Sequence, residues 1–413
     1  MHDRQLTAIA GAVGTPTYVY DAALIRARYA TLVGALAPRF PCQIFYAVKA
    51  NSNLAVLALL RGLGAGADIV SGGELFRARR AGFAPGEIVF SGVGKTDDEL
   101  RTALEAPIRH INLESEAEAE RVLALAAQSG RPATVGIRVN PEVRAETHPY
   151  TRTAEKGMKF GVPLDRVVPL AVRLARSGHA RVTALAMHLG SQIVTGAPFR
   201  TGAERLADVV TSVRAAGVDT LGAISVGGGL GIAYAAADPA LDPGEFAEAV
   251  TPLAAATGLP LIVEPGRYLV GPAGVLLTRV LYRKHAGGRD IVITDAGMND
   301  LLRPALYQAH HAVRLVNGPV DARAEVVDVV GPICESGDFL AHDQAVAGAE
   351  RGALLAVGAA GAYGFSMSSQ YNSRRRAAEV VVDGDRWGVV RAREGLEDLI
   401  QGEVTEPRWV SQP

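Results

Sequence analysis

The stretch Gln43-Ile44-Phe45-Tyr46-Ala47-Val48, followed at once by Lys49-Ala50-Asn51, decides how this chain folds. Past Gln43 it is apolar without alternation and rich in β-branched and aromatic side chains, the pattern of a strand buried on both faces. Seven further runs of this kind follow, at 67–70, 88–91, 110–113, 134–139, 182–188, 223–226 and 261–264. Ala/Leu/Arg-rich stretches of helical spacing fill the gaps, as at 115–128 and 199–215. Eight βα units in succession predict a parallel (β/α)8 barrel of the α/β class. An open doubly wound sheet would more often carry Gly-x-Gly-x-x-Gly after its first strand, and none stands there.

Beyond Arg267 the texture changes. Runs at 275–282, 290–294, 324–330, 353–357 and 379–382 read as strands between Gly, Pro and Asp turns, with little helical periodicity. We therefore expect a barrel domain of residues 22–270 and a second, mostly antiparallel β domain, sandwich or barrel-like, of residues 271–413. The strand-like Thr17-Tyr18-Val19-Tyr20 within residues 1–21 is expected to join the second domain.

Composition suits this architecture. At 413 residues the chain has room for a barrel and a smaller partner domain. Hydrophobic residues make up 48%, and 42 basic against 43 acidic side chains leave a net charge of −1. That balance excludes intrinsic disorder and argues against nucleic-acid or membrane-surface binding. Arg77, Arg79, Arg80 and the run Arg374-Arg375-Arg376 accordingly read as solvated faces. No apolar run approaches the ~20 residues of a membrane-spanning helix. The opening residues lack a secretory pattern, and the two cysteines, Cys42 and Cys334, frame neither a disulfide scaffold nor a zinc site, so a cytoplasmic protein is expected. His310-His311, adjacent and hence on different faces, make a poor metal pair.

In barrels the chemistry sits where strands end. Lys49 ends the first, where partial desolvation is expected to lower its pKa and suit Schiff-base formation. Gly227-Gly228-Gly229-Leu230-Gly231 ends the seventh and can turn backbone N–H groups on a phosphate. Glu264 ends the eighth, where a buried carboxylate needs a protonated partner such as a pyridinium nitrogen, and His188 ends the sixth as a flat ring that can stack. Each taken alone has a plain structural reading: a surface lysine, a tight turn, a hydrogen-bonded core histidine. Together they form the pattern of a pyridoxal 5′-phosphate site.

Six motifs in order carry a wider resemblance. They are Phe45-Tyr46-Ala47-Val48-Lys49-Ala50-Asn51, His188-Leu189-Gly190-Ser191-Gln192, the Gly227–Gly231 loop with Glu264-Pro265-Gly266-Arg267, Arg303-Pro304-Ala305-Leu306-Tyr307, Gly331-Pro332-Ile333-Cys334-Glu335-Ser336-Gly337-Asp338, and Gly361-Ala362-Tyr363-Gly364. The chain resembles the barrel-type pyridoxal-phosphate decarboxylases over nearly its whole length, and within them the diaminopimelate decarboxylases. The resemblance implies that Lys49 holds the cofactor covalently, that Glu264 pairs with its ring nitrogen and that His188 stacks on its ring. It also implies that Asp68, Ser191, Gly228, Gly229, Gly266, Arg267 and Tyr363 bind or orient the cofactor. Arg267, Arg303, Tyr307, Glu335 and Tyr363 would contact an amino-acid substrate, and Cys334 would be a proton donor reaching across a homodimer interface into the partner's site. Residues 140–161, with His148, Arg152, Lys156 and Lys159, resemble the family's mobile loop over the site.

The activity so implied is decarboxylation of meso-2,6-diaminopimelate to L-lysine and CO2, the last step of lysine synthesis. Charge supports that substrate: its distal amino-acid head calls for a cation and an acid, which Arg303 with Arg267 and Glu335 supply. Gln308 follows Tyr307 where the ornithine-specific relatives look acidic. Two other readings stay open: a racemase or decarboxylase of the same fold acting on another basic or D-amino acid, and a non-catalytic pyridoxal-phosphate carrier.

Overall fold

The computed structural model describes residues 1–144, 148–316 and 324–410, and its strands form two sheets. The first strand, β1 (Thr17–Asp21), belongs to the second sheet. The barrel is built from β2 (Cys42–Ala47), β3 (Gly66–Ile69), β4 (Ile88–Phe90), β5 (His110–Leu113), β6 (Ala133–Asn140), β8 (Ala180–Ala186), β9 (Ala223–Ser225) and β10 (Leu261–Val263). A two-residue strand, β7 (Val162–Pro163), hangs on β6. Neighbours pair in parallel around the ring, and closure is direct: Ile111 lies opposite Val135, and Leu261 opposite Cys42. Most of the strand residues are buried, as an inner sheet ringed by helices requires.

Local signals set the helices between strands. In the helix Glu116–Ser129 the Ser115 hydroxyl accepts the Glu118 N–H at 3.1 Å, and Gly130 at φ 66° ends the run. The spacing of Ala119, Val122, Leu125 and Ala126 then buries one face against the barrel.

The second sheet comprises β11 (Gly274–Ala286), β12 (Arg289–Thr294), β13 (Val313–Leu315), β14 (Ala324–Val330), β15 (Phe339–Ala347), β16 (Leu354–Val357), β17 (Ala378–Asp383) and β18 (Arg386–Arg391). Its main path runs β15-β14-β12-β11-β1-β17-β18, with β16 joining β11 to β13. Two pairs, β1 with β17 and β12 with β14, are parallel, and the rest are antiparallel. β13, β15 and β18 are absent from the sequence reading. β15 and β18 are the two ends of the path, where one edge and much of a face meet water, so polar residues such as His342, Asp343 and Gln344 interrupt the apolar pattern. The helix Asp3–Val13 was equally unforeseen; its Leu6, Ile9 and Ala10 cover Val19, Leu277 and Val380 of the sheet.

The two sheets meet beside Lys49. Tyr363 N–H donates to the Ala50 carbonyl at 2.8 Å, and Asn51 Nδ2 donates to the Gly361 carbonyl at 3.1 Å. No helix among the described residues is long and apolar enough to cross a membrane.

Candidate active site

Lys49 sits in the 3-10 turn Val48–Ala50, just past β2. Its Nζ donates to Asp68 Oδ2 at 2.9 Å, with a third of the lysine side chain open to a cavity and Asp68 almost wholly enclosed. Burial pulls the Lys49 pKa down, but Asp68, Tyr363 and Glu264 together outweigh it and raise it. The expected lowering is not found: strand periodicity does not show that Asp68, inside β3, stands opposite the amine.

Glu264 follows β10 and is buried, its Oε1 accepting from the Ser225 hydroxyl at 2.6 Å. Burial, then Asp68, push its carboxyl up; Ser225, Lys49 and Arg138 pull less strongly the other way. The Nδ1 of His188 accepts the Gly228 N–H at 3.1 Å, which leaves the proton of the neutral ring on Nε2. Burial, Arg138 and Lys49 hold that ring well below the usual histidine range, hence neutral. The glycine loop is a close fit: a Cβ on Gly228 would strike the Glu264 carbonyl, and Gly229, at φ 99°, would strike that of Gly190.

A cavity of about 420 Å³ is lined by Lys49, Asp68, Arg138, Phe160, His188 and Glu264. A second, of about 320 Å³, is lined by Arg267, Arg303, Tyr307, Tyr234, Asp238 and His148, among others. Arg267, buried just after Gly266, donates to Ser191 Oγ at 2.8 Å and to the Tyr234 hydroxyl, and lies 4.8 Å from the Tyr363 ring centre. Arg303, buried at the start of the short helix Arg303–Tyr307, lies 5.6 Å from the Tyr307 ring centre. Exposed Gln308, at φ 51°, ends that helix.

The barrel mouth thus gathers Lys49, Asp68, His188, Ser191, Gly228, Gly229, Glu264, Gly266, Arg267, Arg303, Tyr307 and Tyr363. Cys334 and Glu335 stand apart. Both are exposed and line neither cavity; the Cys334 N–H donates to Asn372 Oδ1 at 3.0 Å, and Glu335 accepts from the Tyr371 hydroxyl. The 140–161 segment folds over the mouth: Thr153 Oγ1 donates to the His188 carbonyl at 2.7 Å, and the His148 ring meets Tyr307 edge-on at 5.5 Å. Residues 145–147 of that segment lie outside the described residues. Arg376, read as solvated, instead stacks 4.3 Å over Phe365 and donates to Ser368 Oγ at 2.9 Å, because a loop of the second sheet folds back on it.

Sequence reasoning missed Arg138, Glu114, Ser225 and Tyr234. Arg138 donates to Glu114 Oε1 at 2.8 Å, and Glu114 also accepts the N–H groups of Gly92 at 3.2 Å and Gly161 at 2.9 Å. A signal existed: an arginine inside a mostly apolar, largely buried strand demands a partner. Tyr234, in a loop without pattern, carried none.

Residues 22–271 match the pyridoxal-binding domain of the pyridoxal-dependent decarboxylases. Over 403 residues the chain is 49% identical to the diaminopimelate decarboxylase of Pseudomonas aeruginosa, spanning 98% of this chain and 96% of that protein. It belongs to the diaminopimelate decarboxylase family. Within that family the structure from Helicobacter pylori, complexed with L-lysine, matches with a TM-score of 0.91 at 38% identity, covering 96% of this chain and 98% of that one. The M. jannaschii structure, also with L-lysine, matches at 0.92 and 33%, covering 98% and 95%.

Pyridoxal phosphate, the group of this family, fits the residues present. The Lys49 amine faces a cavity, Asp68 Oδ1 is buried there without a hydrogen-bond partner among the described residues, and Glu264 and His188 line the same cavity.

Proposed function

We propose that this chain is a carboxy-lyase that converts meso-2,6-diaminopimelate to L-lysine and CO2 with pyridoxal 5′-phosphate, the last step of lysine biosynthesis by the diaminopimelate pathway. The observation that carries the reading is the pair of cavities at one barrel mouth, one holding Lys49 with Glu264 and the other Arg267 with Arg303. When bound, pyridoxal phosphate supplies an electron sink for the pair left at Cα as the carboxylate departs. Lys49 holds the cofactor and carries a proton at Nζ, with Asp68 Oδ2 the nearest group to take it. Glu264, oriented by Ser225, holds a proton at the ring nitrogen, and neutral His188 offers its face to the ring. Gly228, Gly229, Ser191, Gly266 and Tyr363 orient the phosphate end. Arg303 and Arg267, with Tyr307 and Tyr363, take the distal carboxylate of the substrate.

Cys334 donates the proton to Cα, and Glu335 takes the distal ammonium. Their exposure in a single chain, away from both cavities, supports a homodimer in which each protomer lends this pair to its partner's site. In the same reading residues 22–270 are the cofactor-binding barrel, and residues 271–413 with 1–21 are the domain that brings substrate and cross-subunit contacts. Two free cysteines accord with a cytoplasmic enzyme.

The test is CO2 release by the cofactor-loaded protein from meso-diaminopimelate beside L-ornithine, L-lysine, L-arginine and D-lysine, with chiral analysis of the product. Selective release with L-lysine formed is expected. Release only from a basic amino acid overturns the arginine roles, and no release with cofactor bound leaves a carrier.

A further inference from the structure

We propose that His311 is a positioning residue: it fixes the guanidinium of Arg303, and through Tyr234 that of Arg267, in the orientation that receives the distal carboxylate of the substrate. The proposal rests on the reading of the two arginines given above.

His311 is wholly buried behind Arg303. Its Nε2 accepts the N–H of Arg303 Nε at 3.3 Å, and its Nδ1 lies 2.9 Å from the Gly358 carbonyl. A guanidinium only donates and a carbonyl only accepts, so these two partners admit one state of the ring: neutral, with its proton on Nδ1. Burial first, and Arg303 next, hold its pKa at about 3, so the ring stays an acceptor across the working pH range. The anchor is firm, because Gly358 directly follows β16 and its own N–H donates to the Ala312 carbonyl at 2.8 Å.

The same ring extends the arrangement sideways. It meets Tyr234 edge-on, ring centres 5.0 Å apart, and the Tyr234 hydroxyl accepts from Arg267 while its ring lies 5.2 Å from the Arg303 guanidinium carbon. The described residues engage only Nε of Arg303 in hydrogen bonding, so its two terminal nitrogens remain for a bidentate carboxylate. An arginine side chain has four torsions to lose, and fixing them before the substrate arrives moves that entropy cost from binding to folding. His310, by contrast, is exposed at the rim of the cavity, as adjacent residues on opposite faces must be.

The experiment compares cofactor-loaded wild type, His311→Phe and His311→Gln in steady-state turnover of meso-diaminopimelate, with L-lysine and 1,5-diaminopentane as inhibitors. L-lysine keeps the distal carboxylate and 1,5-diaminopentane lacks it. In His311→Phe, which keeps the bulk and the ring contact but loses the acceptor, KM and the L-lysine inhibition constant are expected to rise together about tenfold. kcat should stay within about threefold, and inhibition by 1,5-diaminopentane should not move. His311→Gln, whose Oε1 takes the Nε2 place, is expected to recover most of the loss. An unchanged KM in His311→Phe, or equal losses for both inhibitors with kcat, overturns the proposal in favour of mere packing. Should His311→Phe fail to fold, the same readouts on His311→Gln and His311→Asn decide, since equal behaviour of those two variants also overturns it. Wild type without activity on meso-diaminopimelate would instead overturn the proposed function.

Discussion

Lys49 Nζ and Asp68 Oδ2, 2.9 Å apart, show how single side chains set the chemistry of this mouth. The pair keeps the amine charged and the buried acid compensated, so removing Lys49 strips the site of its cation as well as its attachment point. Lys49→Ala should lower turnover by several orders of magnitude and abolish the visible absorbance of bound cofactor, with far-ultraviolet circular dichroism unchanged. Retained absorbance and turnover would show that another group holds the cofactor. Asp300 is a second buried acid, in the 297–300 turn of the second domain. Its Oδ2 accepts the Gly297 N–H at 3.2 Å, and burial pushes its pKa to about 7. Between the ordinary carboxylate range near pH ~4 and pH 7, the native chain therefore keeps a proton that the unfolded chain has released. The unfolded state then binds fewer protons, so Asp300 subtracts stability as pH rises through that window. Asp300→Asn, which keeps the acceptor for Gly297, should flatten the fall of Tm between pH 4 and 7; an unaltered slope places the titration elsewhere.

The barrel strands impose the next level of order, because the residues that follow their C-terminal ends collect at one rim. That regularity made Lys49, His188, the glycine loop and Glu264 legible: period and run length alone locate strand ends. Arg138 escaped because it points from within β6 to Glu114, just past the end of β5, and pairing between neighbouring strands is not written in either one. Glu114 holds Arg138, the loop at Gly92 and the end of the covering segment at Gly161. Glu114→Ala leaves a buried guanidinium unpaired, and a loss of about 3–5 kcal/mol in chemical denaturation is expected. The covering segment should also become more open to limited proteolysis near residues 148–161. A loss below ~1 kcal/mol, within the range of an exposed ion pair, would show that water reaches Arg138 and compensates it.

For the molecule as a whole, the second sheet closes the site that the barrel begins, with Gly361 and Tyr363 bonded to the residues flanking Lys49. The proposed dimer adds Cys334 and Glu335 from a second copy, and this has a quantitative consequence. Lys49→Ala and Cys334→Ala homodimers should each be inactive, yet mixing them one to one should restore about a quarter of wild-type activity, since half the dimers are mixed and each of those has one intact site. No recovery on subunit exchange would place the proton donor within one chain. The sequence by itself determined the barrel, the existence of a β domain and the strand-end set of Lys49, His188, the glycine loop and Glu264 that suits the cofactor, because buried strands and strand-end polar residues leave periodic, local marks. The other rim residues were legible only through the resemblance of their motifs to a known family. Only the tertiary structure decided the Lys49–Asp68 and Arg138–Glu114 pairs, the edge strands β15 and β18 and the place of His311 behind Arg303. Those depend on which distant residues meet, and on how little water remains between them when they do.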